Sequence, residues 1–280
     1  MDKTTAVKNL PLLRIQLGNA KLSKLVGHVS TPAGYTCPGA DKCLTFTTPL
    51  KRKIKTRGEI RCYAANIEAY SKQYHAIVWH NFELLRPILS DTEAMLDLYS
   101  TSLDMHPNLL IFRSGVSGDF KTRQQALAFK MLAESRPRML FYAYTKSVNF
   151  FADWLDDKGQ VLPNLFITCS LGGKYDDLVR KRGFRCERIV KNQAEADALG
   201  LPVDHDDTYA MQPGGDFAHL IHGQQPAGSP LGKYARANGY REKDKDPLLD
   251  IKTYEVYTNF IKRTTPAQPK RNAASLCVVT

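Results

Sequence analysis

The stretch Met139-Leu140-Phe141-Tyr142-Ala143-Tyr144, followed by Thr145-Lys146-Ser147, says most about the fold of this 280-residue chain. A run of apolar and aromatic residues is typical of a strand buried on both faces, and small polar residues at its end are typical of a loop. Similar short runs occupy 109–112 and 165–169, and residues with helical spacing separate them. This alternation predicts βαβ units arranged around a parallel sheet.

Further elements are predicted on both sides of this centre. Strands are expected at 184–190 and 208–211, and helices at 64–89, after an Asp91 cap, and at 122–135, 149–155, 175–181 and 193–199. Right-handed crossovers would curl such units into a partial (β/α) parallel barrel or a curled parallel sheet. We expect one α/β domain over 1–225, including a cysteine-bearing N-terminal loop region. A C-terminal extension or arm follows over 226–280, with a short amphipathic helix around Tyr254–Ile261.

The carboxyl ends of parallel strands meet at one edge of a sheet, where ligands bind. Three candidate ligand-binding residues follow predicted strands there: Ser117, Asp119 and Lys146. Asp119 is suited to ligand binding or general-base work, and equally to capping the next helix. Lys146 is suited to holding an anion or pairing with Asp119, or it is a surface lysine. Arg113 ends an apolar strand, so its charge needs a partner.

Three cysteines gather within 26 residues of the N-terminal region: Cys37 and Cys43 in a C-x5-C pattern, then Cys62. Thiolates are soft ligands that favour zinc, Cu(I) or iron–sulfur clusters. The paired C-x2-C spacing of zinc fingers is missing. A metal or cluster site and three unconnected thiols both fit the spacing.

The charge of the chain is +11, and it is concentrated near the ends. Residues 1–62 hold 12 basic and three acidic side chains, and residues 51–61 are the most basic stretch. Such charge suits nucleic acid, through Lys51, Arg52, Lys53, Lys55, Arg57 and Arg61. It equally suits a surface loop, or the surroundings of an anionic cluster. No apolar run is long enough to span a membrane, and we expect a cytoplasmic protein.

An ordered set of short motifs resembles the bacteriophage gene product 88 domain family. The motifs are TCPGA at 36–40, Cys43, CYA at 62–64, VSGDF at 116–120 and FYAYTKS at 141–147. The resemblance implies a phage-encoded protein of the host cytoplasm with an iron–sulfur cluster, [4Fe-4S] in type, and a redox or catalytic role. The predicted fold is also distantly similar to the partial barrels of radical-SAM enzymes, although the C-x3-C-x2-C motif of those enzymes is missing.

Three cysteines leave one position of a cubane cluster for another ligand. Cys169 ends a predicted strand at the same edge and is our candidate fourth metal ligand, the alternative being an exchangeable ligand. His205, His219 and His222 fit structural or exposed roles better than ligation, and Cys186 and Cys277 receive no role. The competing functions are a radical-SAM-like enzyme and a zinc- or cluster-stapled nucleic-acid-binding module that uses residues 51–61.

Overall fold

A computed structural model of the chain describes residues 11–19, 21–221, 223–238 and 246–265. The strands within these residues are β1 (Gln16–Leu17), β2 (Val26–Val29), β3 (Thr45–Thr47), β4 (Ile54–Thr56), β5 (Ile111–Ser114), β6 (Leu140–Thr145), β7 (Gln160–Leu162), β8 (Leu165–Ser170), β9 (Cys186–Val190) and β10 (Phe217–Leu220). The helices are α1 (Tyr63–Tyr70), α2 (Lys72–Leu85), α3 (Thr92–Asp104), α4 (Arg123–Ser135), α5 (Asp176–Arg182), α6 (Gln193–Ala198), α7 (Pro230–Asn238) and α8 (Leu249–Thr264).

The central sheet has the strand order β1-β2-β5-β6-β8-β9-β10. From β2 to β10 every neighbouring pair in this order is parallel, while β1 and β7 pair antiparallel with β2 and β8. The predicted α/β class with a mainly parallel sheet is therefore confirmed. The strands follow one another in chain order without a reversal, so the sheet is wound in one direction.

The two faces of the sheet have different coverings, because successive side chains of a strand point to opposite sides. On the outer face, Val29, Phe112 and Phe141 pack with Phe129 of α4 and with other helical residues. On the inner face, Val26, Ile111 and Leu140 pack with Met211 and with Phe260 of α8. The helices that connect the first strands thus lie on the outer face, and the C-terminal helix closes part of the inner one.

Helix starts follow the local sequence closely. Asp91 caps α3 by accepting from the Ala94 amide, and Thr122 caps α4 through Gln125. The predicted helix over 64–89 is two helices, because Ser71 is extended (φ −92°, ψ 103°) and caps α2 through Tyr74. Among the described helices, none is both long and apolar enough to cross a bilayer.

Three further expectations need correction, and strands β1 to β4, β7 and β10 and helix α7 were not expected. Residues 208–211 form a turn and the last strand is β10, because Ala210 and Met211 are buried by the inner face rather than by strand pairing. Within 149–155 the structure has a short 3-10 helix, Val148–Phe150, followed by a turn. Strand β2 was not predicted. The amphipathic helix of the C-terminal arm is longer than expected and is α8, whereas 239–245 and 266–280 lie outside the described residues.

The segment between β2 and α1 carries the three clustered cysteines and contains the β3–β4 hairpin. Its backbone docks on the loop after β8. Lys42 donates its amide to the Gly172 carbonyl (3.0 Å), Lys174 donates to Gly39 (2.9 Å), and an isolated antiparallel bridge joins Ala40 to Gly173. The cysteine segment is thereby fixed over the carboxyl ends of the strands.

A glycine at position 39 is required by this docking. An added Cβ would lie 2.2 Å from the Lys146 carbonyl oxygen and 2.7 Å from the Ser147 amide nitrogen. Gly39→Ala should lower the free energy of unfolding in urea by about 1–3 kcal/mol, because backbone rather than a flexible side chain must move. Gly214→Ala is the control, since its Cβ would meet no heavy atom within 4 Å. Equal stability of the two variants would contradict the close approach.

Candidate functional site

A cavity of about 530 Å³ lies at the carboxyl ends of the parallel strands. Cys37, Cys43 and Cys62 line it together with residues from the loops after β5 and β6. The expected ligand-binding residues Ser117, Asp119 and Lys146 are among them. The structure therefore brings six of the seven candidate site residues to one cavity, at the edge where parallel sheets bind ligands.

Each clustered thiol has a polar environment of its own. The Cys37 sulfur accepts a hydrogen bond from the Gly34 amide at 3.3 Å. Cys62 immediately precedes α1, and the amides of Ala64 and Ala65 favour its thiolate. Lys146 favours the thiolate of Cys43. These donors resemble the second shell that stabilises bound thiolates in metal sites.

The three thiols are close enough to influence one another. Burial raises the pKa of Cys62 to about 12, with Cys43 adding to the shift. Burial likewise raises the pKa of Cys37 well above its usual value, followed by Asp119, Cys62 and Cys43. Without a cation the chain thus favours neutral thiols. Metal binding would have to displace those protons, as it does at other thiolate sites.

The separation of the thiols bears on which metal they suit. Among the described residues, Asp204, Asp207 and His219 form a group whose ligand atoms all lie within 4.8 Å of one another. The three cysteines do not form such a group. Tetrahedral zinc with 2.3 Å bonds needs sulfur atoms about 3.8 Å apart. A cubane cluster needs more widely spaced thiolates, because each one binds a different iron. As placed, the three sulfurs therefore do not form a ready-made single-ion site, and both zinc and a cluster at these cysteines stay predictions.

Cys169 does not join the other three. It packs in the outer-face core, whereas its neighbour Ser170 lines the cavity. Its amide donates to Arg185, and its electrostatic neighbours are Cys186, Arg185 and Asp216. Of the two predicted fourth ligands of a cluster, this placement argues against Cys169 and leaves the exchangeable ligand. His222 and Cys277 lie outside the described residues.

The carboxylate of Asp119 holds two loops together. Its oxygens accept hydrogen bonds from Phe120, Thr145, Lys146 and Ser147 over distances of 2.6–3.1 Å, with Ser147 donating both its amide and its hydroxyl. The capping role considered for Asp119 is wrong, since Thr122 caps α4. With five donors already bound, this carboxylate is better placed to position the cavity wall than to act as a base.

Lys146 and Ser117 are also engaged. The Lys146 ammonium donates to the Ser170 hydroxyl (2.6 Å) and the Leu171 carbonyl (2.6 Å), not to Asp119. The Ser117 hydroxyl donates to the Glu68 carboxylate at 3.0 Å. These contacts join the loop after β6 to the end of β8, and the loop after β5 to α1.

A second polar group lines the same cavity from the inner face of the sheet, and most of its members were not predicted. We call it the inner cluster: His28, Arg113, Glu187, Asp204, Asp207 and His219. The partner required by Arg113 is Asp207, in an ion pair to which Tyr142 donates a further hydrogen bond at 2.9 Å. His219 lies in β10, not on a helix. A histidine between valines at 26–29 was the available signal for the missed strand.

The basic stretch 51–61 is divided between the interior and the surface. Arg52 donates to the Ala69 carbonyl, Arg57 stacks over Phe46 and Arg61 lines the cavity. Lys51, Lys53, Lys55 and Arg57 are exposed. Nucleic-acid binding stays a prediction, with these four side chains as its accessible basic surface.

Comparison with known proteins yields a family and one relative. Residues 3–243 match the model of the family described as Gene product 88. The chain is similar to the Gene 88 protein of Mycobacterium phage L5, with 27% identity over 136 residues, 46% of this chain and 51% of that protein. It thus spans about half the length of this curated relative. No solved structure matches the chain significantly.

Replacing Asp119 tests its positioning role. Asp119→Asn should lower the free energy of unfolding by about 2 kcal/mol or more, because an amide NH2 would face backbone donors whichever way it turns. Urea denaturation measures the loss. Asp153→Asn is the control, since it breaks only an exposed ion pair with Arg123. A loss as small as that of the control would mean that the five bonds carry little stability.

Glu68 gives a pH-dependent prediction. This fully buried carboxyl has one oxygen without a partner, and burial raises its pKa to about 7. A carboxyl whose pKa is raised by folding contributes its full stability at pH values below its pKa in the unfolded chain. That contribution is lost as the pH rises through about 7, the pKa in the folded chain. Glu68→Gln should therefore gain about 1–3 kcal/mol over the unmodified chain between pH 5 and pH 8, measured by urea denaturation. Glu59→Gln, at an exposed side chain, is the control, and a Glu68→Gln difference that does not change with pH would contradict the buried charge.

Proposed function

This chain belongs to the Gene product 88 family, as its motifs predicted, and we propose that it is an iron–sulfur protein with one open cluster position facing a substrate cavity. The observation that carries the proposal is the convergence of Cys37, Cys43 and Cys62 at one cavity beside the carboxyl ends of the parallel strands. In the proposed site, three protein thiolates would hold the cluster, and an exchangeable ligand would take the fourth position.

The residues around the thiols fit this group. Amides from Gly34, Ala64 and Ala65 and the ammonium of Lys146 favour thiolates at the three positions. Their partial and full positive charges would offset the negative charge of a thiolate-bound cluster. Such a cluster would supply one-electron chemistry, including reductive cleavage of S-adenosylmethionine where that ligand occupies the open position.

The sheet topology supports the catalytic form of the proposal. The cysteine segment follows β2, the first parallel strand of the series, and the cavity lies at the strand ends. The resemblance to radical-SAM partial barrels implies a cluster at the mouth of the barrel, and a partial-barrel curvature of this sheet is part of the proposal. Asp119 and Lys146 have positioning roles in it, because their polar atoms connect the loops that form the wall. A cytoplasmic location in the host cell remains part of the proposal.

The decisive experiment is anaerobic purification with measurement of iron, sulfide, zinc and visible absorption. We expect iron and sulfide in equal amounts, and each of Cys37→Ser, Cys43→Ser and Cys62→Ser should lose most of both. Cys169→Ala and Cys186→Ala are the matched controls and should retain them, because neither thiol lines the cavity. A finding of one zinc per chain and no sulfide would contradict the cluster and indicate a structural zinc site.

The open position has a separate readout within the same experiment. Adding S-adenosylmethionine to the reduced protein should change the electron paramagnetic resonance spectrum of the cluster. An unchanged spectrum would remove radical-SAM chemistry and leave a simple redox role.

A further inference from the structure

The β3–β4 hairpin has two different faces, because successive side chains of a strand point to opposite sides. Thr47 is fully buried on one face, where its hydroxyl donates to the Ala65 carbonyl of α1 at 2.9 Å. Phe46 lies on the opposite face, in register with Lys55 of the neighbouring strand. We call this second face the basic face, and its side chains are Phe46, Lys53, Lys55 and Arg57. None of them lines the cavity of the proposed iron–sulfur site.

The cations of the basic face have no acidic partner. Backbone hydrogen bonds extend the ladder beyond both ends of β4, so Lys53 and Arg57 point to the same face as Lys55. All three side chains are exposed, and residues 42–58 contain no Asp or Glu. Within the described part of the chain, none of the three forms an ion pair. Their charge is therefore available to a polyanion.

A row of aromatic rings borders these cations. We call it the aromatic row, and it consists of Phe46, Tyr35, Trp79 and Phe82. Consecutive rings meet edge to face, with centroids 5.2, 5.1 and 5.9 Å apart. The Arg57 guanidinium lies 5.4 Å from the centre of the Phe46 ring and so joins the row to the basic face. All four rings are half-buried, so each keeps part of its surface in contact with solvent.

The second tryptophan of the chain has cations beside it too, but their charge is already compensated. Arg123 and Lys130 lie 5.1 and 5.9 Å from the centre of the Trp154 ring. Arg123 pairs with Asp153, and Lys130 pairs with Glu134. The basic face differs from this surface because its cations have no carboxylate to pair with.

We propose that the basic face and the aromatic row together bind single-stranded nucleic acid, a role beyond the iron–sulfur chemistry proposed above and independent of it. Cations at alternate positions of a strand lie about 7 Å apart, close to the spacing of phosphates along an extended single strand. Half-exposed rings beside such cations offer unpaired bases a surface on which to stack, whatever the base. A duplex carries the same charge but keeps its bases stacked inside, so the aromatic row favours a single strand.

Fluorescence anisotropy of a labelled oligothymidylate of about 20 nucleotides tests this surface. Binding should weaken steeply as the salt concentration rises, and Lys55→Glu should weaken it about tenfold or more at low salt, because a phosphate contact becomes a repulsion. Lys158→Glu is the matched control and should bind normally, since this exposed lysine in the turn before β7 changes the net charge equally. An oligouridylate of the same length distinguishes RNA from DNA as the preferred strand.

The two tryptophans give a second readout, which does not depend on charge. Trp79 is the sole tryptophan of Trp154→Phe, and its fluorescence should be quenched when the oligothymidylate binds, because bases stack on the aromatic row. Trp79→Phe is the matched control, in which the emission of Trp154 should not change. Thermal denaturation of each variant confirms that it is folded.

Several outcomes would overturn the inference. They are absence of binding at low salt, equal binding of a duplex of the same length, equal competition by polyglutamate, and Trp79 emission that the bound strand leaves unchanged. Equal weakening by Lys55→Glu and Lys158→Glu would assign any binding to net charge alone and would overturn it as well. The iron content of the protein enters none of these measurements, so this inference and the iron–sulfur proposal fail separately.

Discussion

The hydrogen bonds that converge on Asp119 are the constraint on which the candidate site depends. They fix the loop after β5 against the loop after β6, and Gly39 packs directly on the Lys146 carbonyl that this arrangement holds in place. Lys146 in turn holds the loop after β8. The cysteine segment thus docks on strand ends that the Asp119 carboxylate and the Lys146 ammonium hold together.

Much of the fold could be predicted because buried parallel strands are short apolar runs bounded by polar residues, as in β6 and β8. The exceptions have tertiary causes. Strand β2 is only four residues long and contains a glycine and a histidine, so the valines at its two ends are a weak signal for a strand. Met211 looked like part of a strand because it is apolar, but it packs against the inner face without pairing.

The site likewise has residues that could be predicted from local sequence and residues that could not. Ser117, Asp119 and Lys146 could be assigned to one edge because strand ends are visible in the sequence. The inner cluster could not, since it depends on pairings such as Arg113 with Asp207, 94 residues apart. Asp207 also adopts a positive φ of 64°, a backbone state that sequence pattern does not reveal and that often marks functional positions. Cys169 was misplaced by one step of the strand alternation, which sends its side chain to the outer core.

The order of the strands has a consequence for how the molecule assembles. From β5 onward each new parallel strand joins the parallel strand formed before it, so this part of the sheet can grow as the chain is synthesised. Strand β2 must instead wait for β5, beyond a connection that runs from Val29 to Ile111 and contains all the clustered cysteines. Closing a long connection is entropically costly and slow. The thiols therefore converge only once this long connection has closed, which makes their site a late product of folding.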